Sequence, residues 1–379
     1  MKLLMLSQDN SIARGERSSF YYMLKEFSQY WDEIHIICPK TLGITQTSIH
    51  GNVFIYPSTF GQAFLSPLYI YQKGFEIYQK HDYDLISVHG GFRFLNEIGA
   101  WLLWRKIRVP YIVEIHHVPG YPRAGDWQET LARVCTRLFI KYLCAKAKAV
   151  RVINNEETPD FLIRCGVPKD KIKCISSFHI DFGAFRPLGL KKEPQRIVFC
   201  GRLAANKGIF ELLKAFRMVV AKYPQARLTI IGRGELEGRL RRFAVTQRIS
   251  DSIEFVGWLP ENKDVAEVYN KSEALLLTSY NEGGPKVTLE AMVCEVPVIT
   301  TKVGIMRELI RDGKNGYFVD WDPKDIAQKI MHLFEHEDER KIIAAEGRKS
   351  ILESAQKFEL KQVVRNYAET YQRIAQEKA

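Results

Sequence analysis

No run in this chain of 379 residues reaches the ~18 consecutive apolar residues that a membrane-spanning helix needs. The amino-terminal apolar run at 1–7 is too short for a signal peptide and reads as a first strand. Cysteine is sparse and scattered. The seven residues at 38, 135, 144, 165, 174, 200 and 294 contain no C-x-x-C pair, so neither a disulfide framework nor a zinc cluster is expected. Reduced thiols in a cytoplasmic protein fit that spacing. Internal repeats and low-complexity tracts are absent, which argues against a solenoid or a disordered tail. There is no Walker A loop: Lys207 precedes Gly208, and no Ser or Thr follows to hold a metal. Asp82 and Asp84 have the D-x-D form of a metal-holding motif, but they precede their strand, where Asp is usually a turn or cap residue. No His/Asp/Glu cluster has ligand spacing in the sequence, so no metal and no cofactor is expected. Acidic residues are in deficit. With 55 Lys+Arg against 44 Asp+Glu, the net charge of +11 calls for an anionic partner without choosing among phosphorylated ligands, anionic lipid and nucleic acid. Nucleic acid explains only the charge, because no RNA-binding motif or aromatic-basic platform accompanies it, and it is not expected as a partner.

Apolar residues make up 46% of the chain, more than one ordinary core would bury, which suggests two domains. Short apolar runs alternate with amphipathic stretches, the signature of parallel sheets flanked by helices. Strand candidates in the first half are 2–6, 33–37, 53–56, 85–88, 111–115, 149–153 and 173–175. The stretch 182–195 has no period and reads as a linker. A second series follows at 196–200, 227–231, 253–256, 274–278 and 298–300, with an edge at 316–319 and charged helices from 325 onward. The expected fold class is therefore α/β, with two Rossmann-like doubly wound domains.

The chemistry concentrates in the second series. Glu282 and Glu290 stand eight positions apart across Gly283, Gly284 and Pro285, between a buried strand and a helix that opens at Lys286. Open α/β sheets bind ligands at the carboxyl ends of their strands. The glycines let backbone approach a ligand, and Pro285 suits the start of a helix whose free amides attract anions. Upstream, Phe199-Cys-Gly-Arg-Leu-Ala-Ala-Asn-Lys-Gly-Ile209 places Arg202 and Lys207 just beyond the first strand of that half, where two cations would hold one diphosphate. The Gly232–Gly234 pair reads as a structural strand-to-helix turn, since a lone G-x-G is weak evidence of a nucleotide fold.

Taken together these segments resemble the family-4 retaining glycosyltransferases of the GT-B fold, over nearly the whole chain. The matching elements come in the family's order: G-R-l-x-x-x-K-G at 201–208, F-x-G ending at Gly257, E-G-x-x-x-x-x-L-E-A at 282–291, and a near match to the family's P-V-I stretch at 297–316. In the first half, Tyr83-Asp-Leu-Ile-Ser-Val-His-Gly90 and Pro110-Tyr-Ile-Val-Glu-Ile-His-His117 resemble two family strands that end in histidine. The resemblance implies two facing domains, 1–187 for an acceptor and 188–358 for a nucleotide sugar, with 359–379 as a helix crossing back to the first. It implies a metal-independent hexosyltransferase that uses a UDP- or GDP-sugar and a glycan or lipid-linked acceptor in cell-surface polysaccharide, lipopolysaccharide or glycolipid synthesis. By the same resemblance Arg202 and Lys207 bind the diphosphate and Glu290 the ribose hydroxyls. Glu282, with the loop Gly283, Gly284, Pro285 and Lys286, holds the transferred sugar, while Gly257 and Gly15 line the donor. His116 approaches the reacting centre. The chain departs from the family at its first glycine turn, where Gly15 alone is plain, at Phe178-His179, where Asn-Gly is common, and at His117, where an aspartate is expected. The alternative within the fold is a sugar-nucleotide epimerase.

Between Thr130 and Arg151 lie six basic residues and no acidic ones. Leu131, Val134, Cys135, Leu138, Phe139 and Tyr142 fall at helical spacing opposite Arg133, Arg137 and Lys141. One reading is an ordinary helix with its apolar stripe in the core and a solvated basic face. The other is a patch, with Lys148 at its end, that rests on an anionic membrane and makes the protein peripheral at its cytoplasmic surface.

Overall fold

The alternating apolar runs become parallel strands. The structure, a computed structural model, describes residues 1–91 and 94–377 and groups into two units: Met1–Val118 with Leu131–Ser177 and Leu360–Ala379, and Pro119–Thr130 with Phe178–Glu359. The strands are β1 (Lys2–Leu6), β2 (Glu33–Cys38), β3 (Ser48–Ile49), β4 (Val53–Pro57), β5 (Leu85–His89), β6 (Tyr111–Glu114), β7 (Ala149–Val152) and β8 (Ile172–Cys174) in the first unit. The second unit holds β9 (Arg196–Cys200), β10 (Arg227–Ile231), β11 (Ile253–Gly257), β12 (Ala274–Leu277), β13 (Val298–Thr300) and β14 (Tyr317–Phe318). The helices are α1 (Ser19–Phe27), α2 (Ser66–His81), α3 (Leu95–Ile107), α4 (Trp127–Cys144), α5 (Glu157–Arg164), α6 (Ile209–Lys222), α7 (Glu237–Thr246), α8 (Asn262–Lys271), α9 (Lys286–Val293), α10 (Met306–Leu309), α11 (Pro323–Glu335), α12 (Glu337–Leu352) and α13 (Leu360–Gln376).

In the first unit the order is β3-β4-β2-β1-β5-β6-β7-β8, parallel except for the short β3. Central strands of such sheets are covered on both faces, so they read as continuous apolar runs, and Leu3, Leu4, Met5 and Leu6 are fully buried. α13 belongs to this unit. Its Val363, Val364, Tyr367, Ala368, Tyr371 and Ile374 recur at helical spacing and are buried, with Tyr367 stacked on Phe27 of α1 at 4.6 Å between ring centroids. In the second unit the order is β11-β10-β9-β12-β13-β14. The first strand, β9, lies between β10 and β12, so the direction of winding reverses there, and the loops after β9 and β12 flank the switch point.

Two segments fall outside the division after residue 187. Residues 119–130 and 178–187 group with the second unit, because their hydrogen bonds run to its loops: Arg123 N–H donates to the Tyr280 carbonyl (3.2 Å) and Ile180 N–H to that of Phe358 (2.9 Å). Asp82 closes α2 as a left-handed cap, and the Asp84 carboxylate accepts from the Lys2 amide at 2.7 Å, which accounts for the D-x-D string as turn chemistry. α4 reverses one expectation. Its buried side is the small-residue row Ala132, Thr136, Ile140 and Cys144, while Leu131, Val134, Leu138, Phe139 and Tyr142 are exposed. The larger apolar side chains are left outside.

Glu97 of α3 is buried. One carboxylate oxygen accepts from the Gly91 amide (3.2 Å), and the other has no partner among the described residues. Burial pushes its carboxyl up to about 7, against the opposing pull of backbone donors. A carboxyl raised on folding contributes stability that is present below its ordinary value and lost as the pH rises through the folded value. Glu97→Gln should match wild type near roughly pH 4 and exceed it increasingly up to about pH 7, by about 2–4 °C in Tm per kcal/mol gained. Parallel Tm curves for the two proteins across this range would contradict the assignment.

Candidate functional site

The site begins where two loops meet backbone to backbone. After β9 the chain makes a short turn at Ala205–Lys207 and enters α6 through Gly208, which has φ +60°. A Cβ there would lie 2.1 Å from the Thr278 carbonyl oxygen at the end of β12, so only glycine fits. The Thr278 hydroxyl donates to the carbonyls of Lys207 (3.0 Å) and Gly208 (3.1 Å), fastening one loop to the other. The Lys207 ammonium thereby pairs with Glu282, whose same carboxylate oxygen accepts from the Ser279 hydroxyl at 2.9 Å. Arg202 is exposed and makes no ion pair among the described residues. Its loop is backed by the Gly232–Gly234 turn: a Cβ at Gly232 would lie 1.9 Å from the Gly201 carbonyl oxygen, and Leu203 N–H donates to the Arg233 carbonyl (2.9 Å). Gly257 ends β11 with its carbonyl accepting from Gly232 N–H at 2.8 Å.

Pro285 caps α9, and Lys286 is its first residue. One turn on, the buried Glu290 carboxylate lies 3.4 Å from the Lys286 ammonium. Burial raises its carboxyl above the ordinary range while Lys286 pulls the other way; both glutamates thus face a lysine, Glu282 with Lys207 of the other loop and the more deeply buried Glu290 with Lys286 of its own helix. Both sit with Arg202, Lys207, Gly257, Gly283, Gly284, Pro285 and Lys286 in the second unit.

Two contributions were not expected as site residues. Phe178 packs against Gly284 so closely that a Cβ there would come within 1.7 Å of its ring. Its loop is held by Asp181, which accepts from the amides of Gly183 and Ala184 and from the Asn262 side chain, each at 3.1 Å. The second contribution is the segment Pro119–Thr130. The Asn281 side-chain amide, adjoining Glu282, donates to the Arg123 carbonyl (3.0 Å) and the Glu129 carboxylate (2.9 Å), and the Arg123 guanidinium stacks over Tyr280 and Trp321. The only hint of it is Asp126, followed three residues later by Glu129, a helix-start pattern that the structure uses through a 2.8 Å bond from Glu129 N–H to Asp126.

Gly15 and His116 lie in the first unit. Gly15 closes a short turn with φ +77°. His116 belongs to a cluster around Glu114 of β6. Strand register sets His89 and Arg151 opposite Glu114 on either side, and Arg151 binds it at 2.5 Å, His89 at 3.3 Å and His116 at 3.2 Å, with Tyr367 donating at 2.8 Å and Ser87 also bonded. Burial alone would raise the Glu114 carboxyl; His89 and Arg151 outweigh it and hold it well below the usual range. Desolvation lowers the His116 value, against the opposing pull of Glu114.

The fold also gathers two groups whose ligand atoms lie together: Glu33, His35 and His81, and, at the junction of α11 and α12, His332, His336 and Glu339; the second corrects the sequence reading, because His332 and His336 have the H-x-x-x-H spacing of a metal pair. In the first, Glu33 bonds His35 Nε2 (3.0 Å) and His81 Nδ1 (2.8 Å), and Tyr56 bonds His35 Nδ1 (3.1 Å). All seven cysteines are free. Among the described residues no helix is long and apolar enough to cross a membrane.

Residues 183–350 match the family model described as glycosyl transferases group 1. The chain is similar to the D-inositol 3-phosphate glycosyltransferase of Thermomonospora curvata, 26% identical over 69% of this chain and 66% of that protein. It is also similar to the N-acetyl-alpha-D-glucosaminyl L-malate synthase of Bacillus anthracis, 23% identical over 92% and 91%. The chain thus spans about two thirds of the inositol-phosphate enzyme and nearly all of the malate synthase. Its fold resembles Anabaena HepE in complex with UDP and glucose, at TM-score 0.73 and 18% identity over 98% of this chain and 100% of that one. It resembles sucrose-phosphate synthase from Thermosynechococcus elongatus at TM-score 0.78 and 16% identity, over 98% of each. Two Rossmann-like units with GT-B neighbours make this a GT-B fold.

Gly284→Ala should destabilise the second unit by about 1–3 kcal/mol through overpacking against Phe178, and Phe178→Ala in the same chain should recover part of that loss. Additive losses in urea unfolding of the single and double variants would show that the two residues do not share the contact.

Proposed function

From the match of residues 183–350 to the group 1 glycosyl transferases, carried on a GT-B fold, we propose that this chain is a retaining, metal-independent hexosyltransferase. It uses a UDP- or GDP-sugar and a glycan or lipid-linked acceptor, at the cytoplasmic side of cell-surface glycan or glycolipid synthesis. The observation that supports this most is the cationic edge at the switch point of the second sheet, with Arg202 unpaired and Lys207 held beside Glu282. UDP and glucose bound to HepE give the donor class a precedent in the same fold.

In the reaction the bond from the sugar's anomeric carbon to the diphosphate breaks, and a bond from that carbon to an acceptor hydroxyl forms on the same face. The acceptor proton passes to the leaving phosphate, so no protein base is assigned. Negative charge gathers on the leaving oxygens, and cations already placed there act most strongly in the transition state. Arg202 and Lys207 take that role; Glu282, released from Lys207 as the diphosphate arrives, orients the sugar hydroxyls with the amides of the 283–286 loop. Glu290 receives the ribose hydroxyls and Gly257 lies beside the donor, while Gly15 is assigned to the donor on resemblance alone. His116 is assigned to the reacting centre on resemblance alone.

Lys207→Ala or Arg202→Ala should lower kcat/KM for transfer by about 100- to 1000-fold. Glu290→Ala should weaken the thermal shift given by the nucleoside diphosphate, which for wild type at about 100 times Kd corresponds to roughly 2.7 kcal/mol. No shift with any UDP or GDP conjugate, or an undiminished one in the Glu290 variant, would overturn the donor assignment. Donor turnover without acceptor would instead identify an epimerase.

A further inference from the structure

α4 presents a face for which the fold has no use. Its inward row is Ala132, Thr136, Ile140 and Cys144. Opposite that row, at intervals of four, three, four and four, stand Trp127, Leu131, Val134, Leu138 and Tyr142, with 72%, 52%, 46%, 59% and 70% of their surface exposed. Phe139 flanks them at 52%. Such a stripe runs about 22 Å along the helix at 1.5 Å per residue. Scattered exposed apolar residues are ordinary, but a contiguous row on one helix marks a contact surface.

The charge around the stripe is of one sign. Arg137 and Lys141 lie one turn apart on one flank, Lys146 follows the helix end, and residues 131–151 contain no carboxylate. The carboxyl end of α5 adds to the same rim. A Cβ at Gly166 would lie 3.0 Å from Lys141 Cδ, Cys165 is within electrostatic reach of Arg137, and beside them Ile163 and Arg164 are exposed. Arg137, Lys141, Lys146 and Arg164 form no ion pair among the described residues. Arg133 and Lys148 play a smaller part, the first half-buried and the second donating to the Glu377 carbonyl at 3.0 Å.

We propose that this face docks on an anionic phospholipid bilayer, with α4 lying in the plane of the interface. Trp127, Leu131, Leu138 and Tyr142 enter the boundary between headgroups and acyl chains, while Arg137, Lys141, Lys146 and Arg164 meet the lipid phosphates. Charge complementarity selects this occupant, because an apolar stripe with an acid-free basic flank matches a surface that is apolar beneath and negative above. Docking is independent of which sugar or nucleotide the second unit takes.

The test is flotation of the full chain with vesicles of equal parts phosphatidylglycerol and phosphatidylcholine, against phosphatidylcholine alone. Wild type should float with the anionic vesicles at low salt and less so as salt is raised. Arg137→Glu with Lys141→Glu should reduce the bound fraction roughly tenfold or more. Leu138→Asp with Tyr142→Ser should reduce it comparably. All four positions are exposed, so Tm and the nucleotide-induced thermal shift should stay as in wild type. A variant that unfolds is replaced by protection of α4 amides from hydrogen exchange in wild type on adding vesicles. Absence of flotation or of protection would overturn the proposal, as would flotation that either pair of substitutions leaves intact. So would a wild-type dimer that Leu138→Asp dissociates, which would assign the stripe to a second copy of the chain.

Discussion

Where Gly208 rests on the carbonyl of Thr278, two loops 70 residues apart in sequence become one surface. The parallel sheet brings the ends of β9 and β12 side by side, but a Cβ at position 208 would hold their loops apart. With glycine there, the Thr278 hydroxyl reaches both carbonyls of the turn, and Lys207 is aimed at Glu282. The pairing thus follows from backbone contact, not from flexible side chains finding each other. A surface lysine–carboxylate pair contributes little to stability in general. Here both side chains are about five-sixths buried, so their placement is a local constraint on the site.

The first unit has its own fixed point in Glu114. An ionised carboxylate in a core is tolerated only when its partners and hydrogen bonds are nearly complete. The register of β5, β6 and β7 supplies His89 and Arg151 on either side, and α13 supplies Tyr367, over whose ring the Arg151 guanidinium also lies at 3.8 Å. The cluster ties the carboxyl ends of three strands to the last helix of the chain and holds His116 by one ring nitrogen. Replacing Glu114 would leave Arg151 uncompensated, which is the expensive way to break such a set.

Much of this was legible because parallel sheets write themselves plainly. Every expected strand appears within a residue or two of its place, since buried strands are apolar runs bounded by turn residues. That 201–208 and 282–290 lie together at the carboxyl ends of β9 and β12 was legible for a related reason: each combines glycine for close approach with charge in a short loop between a strand and a helix. The failures share one cause. Phe178 against Gly284, Glu129 against Asn281 and His81 against Glu33 are contacts between distant segments that leave no period or spacing behind. The α4 stripe misled for a different reason. Helical periodicity locates an apolar face but cannot say which side of the helix the fold will cover, and here the covered row is Ala132, Thr136, Ile140 and Cys144.

The two glutamates of the second unit show what such a site asks of its charges. Glu290 is desolvated, so its ionised form costs free energy in the empty protein, and a ligand donating hydrogen bonds to it would favour that form and relieve the cost. Glu282 already has its partner, so an arriving diphosphate competes with it for Lys207. Arg202, exposed and unpaired, gives the anion a first contact without that competition. On the proposed function this arrangement orders the charges in advance: Arg202 would be available, Lys207 exchangeable, and Glu282 freed when Lys207 moves to the phosphate. A carboxylate freed at that moment, beside the amides of the 283–286 loop, would meet the sugar only when its leaving group is neutralised, so that the proposed reaction would link binding and activation through a single ammonium group.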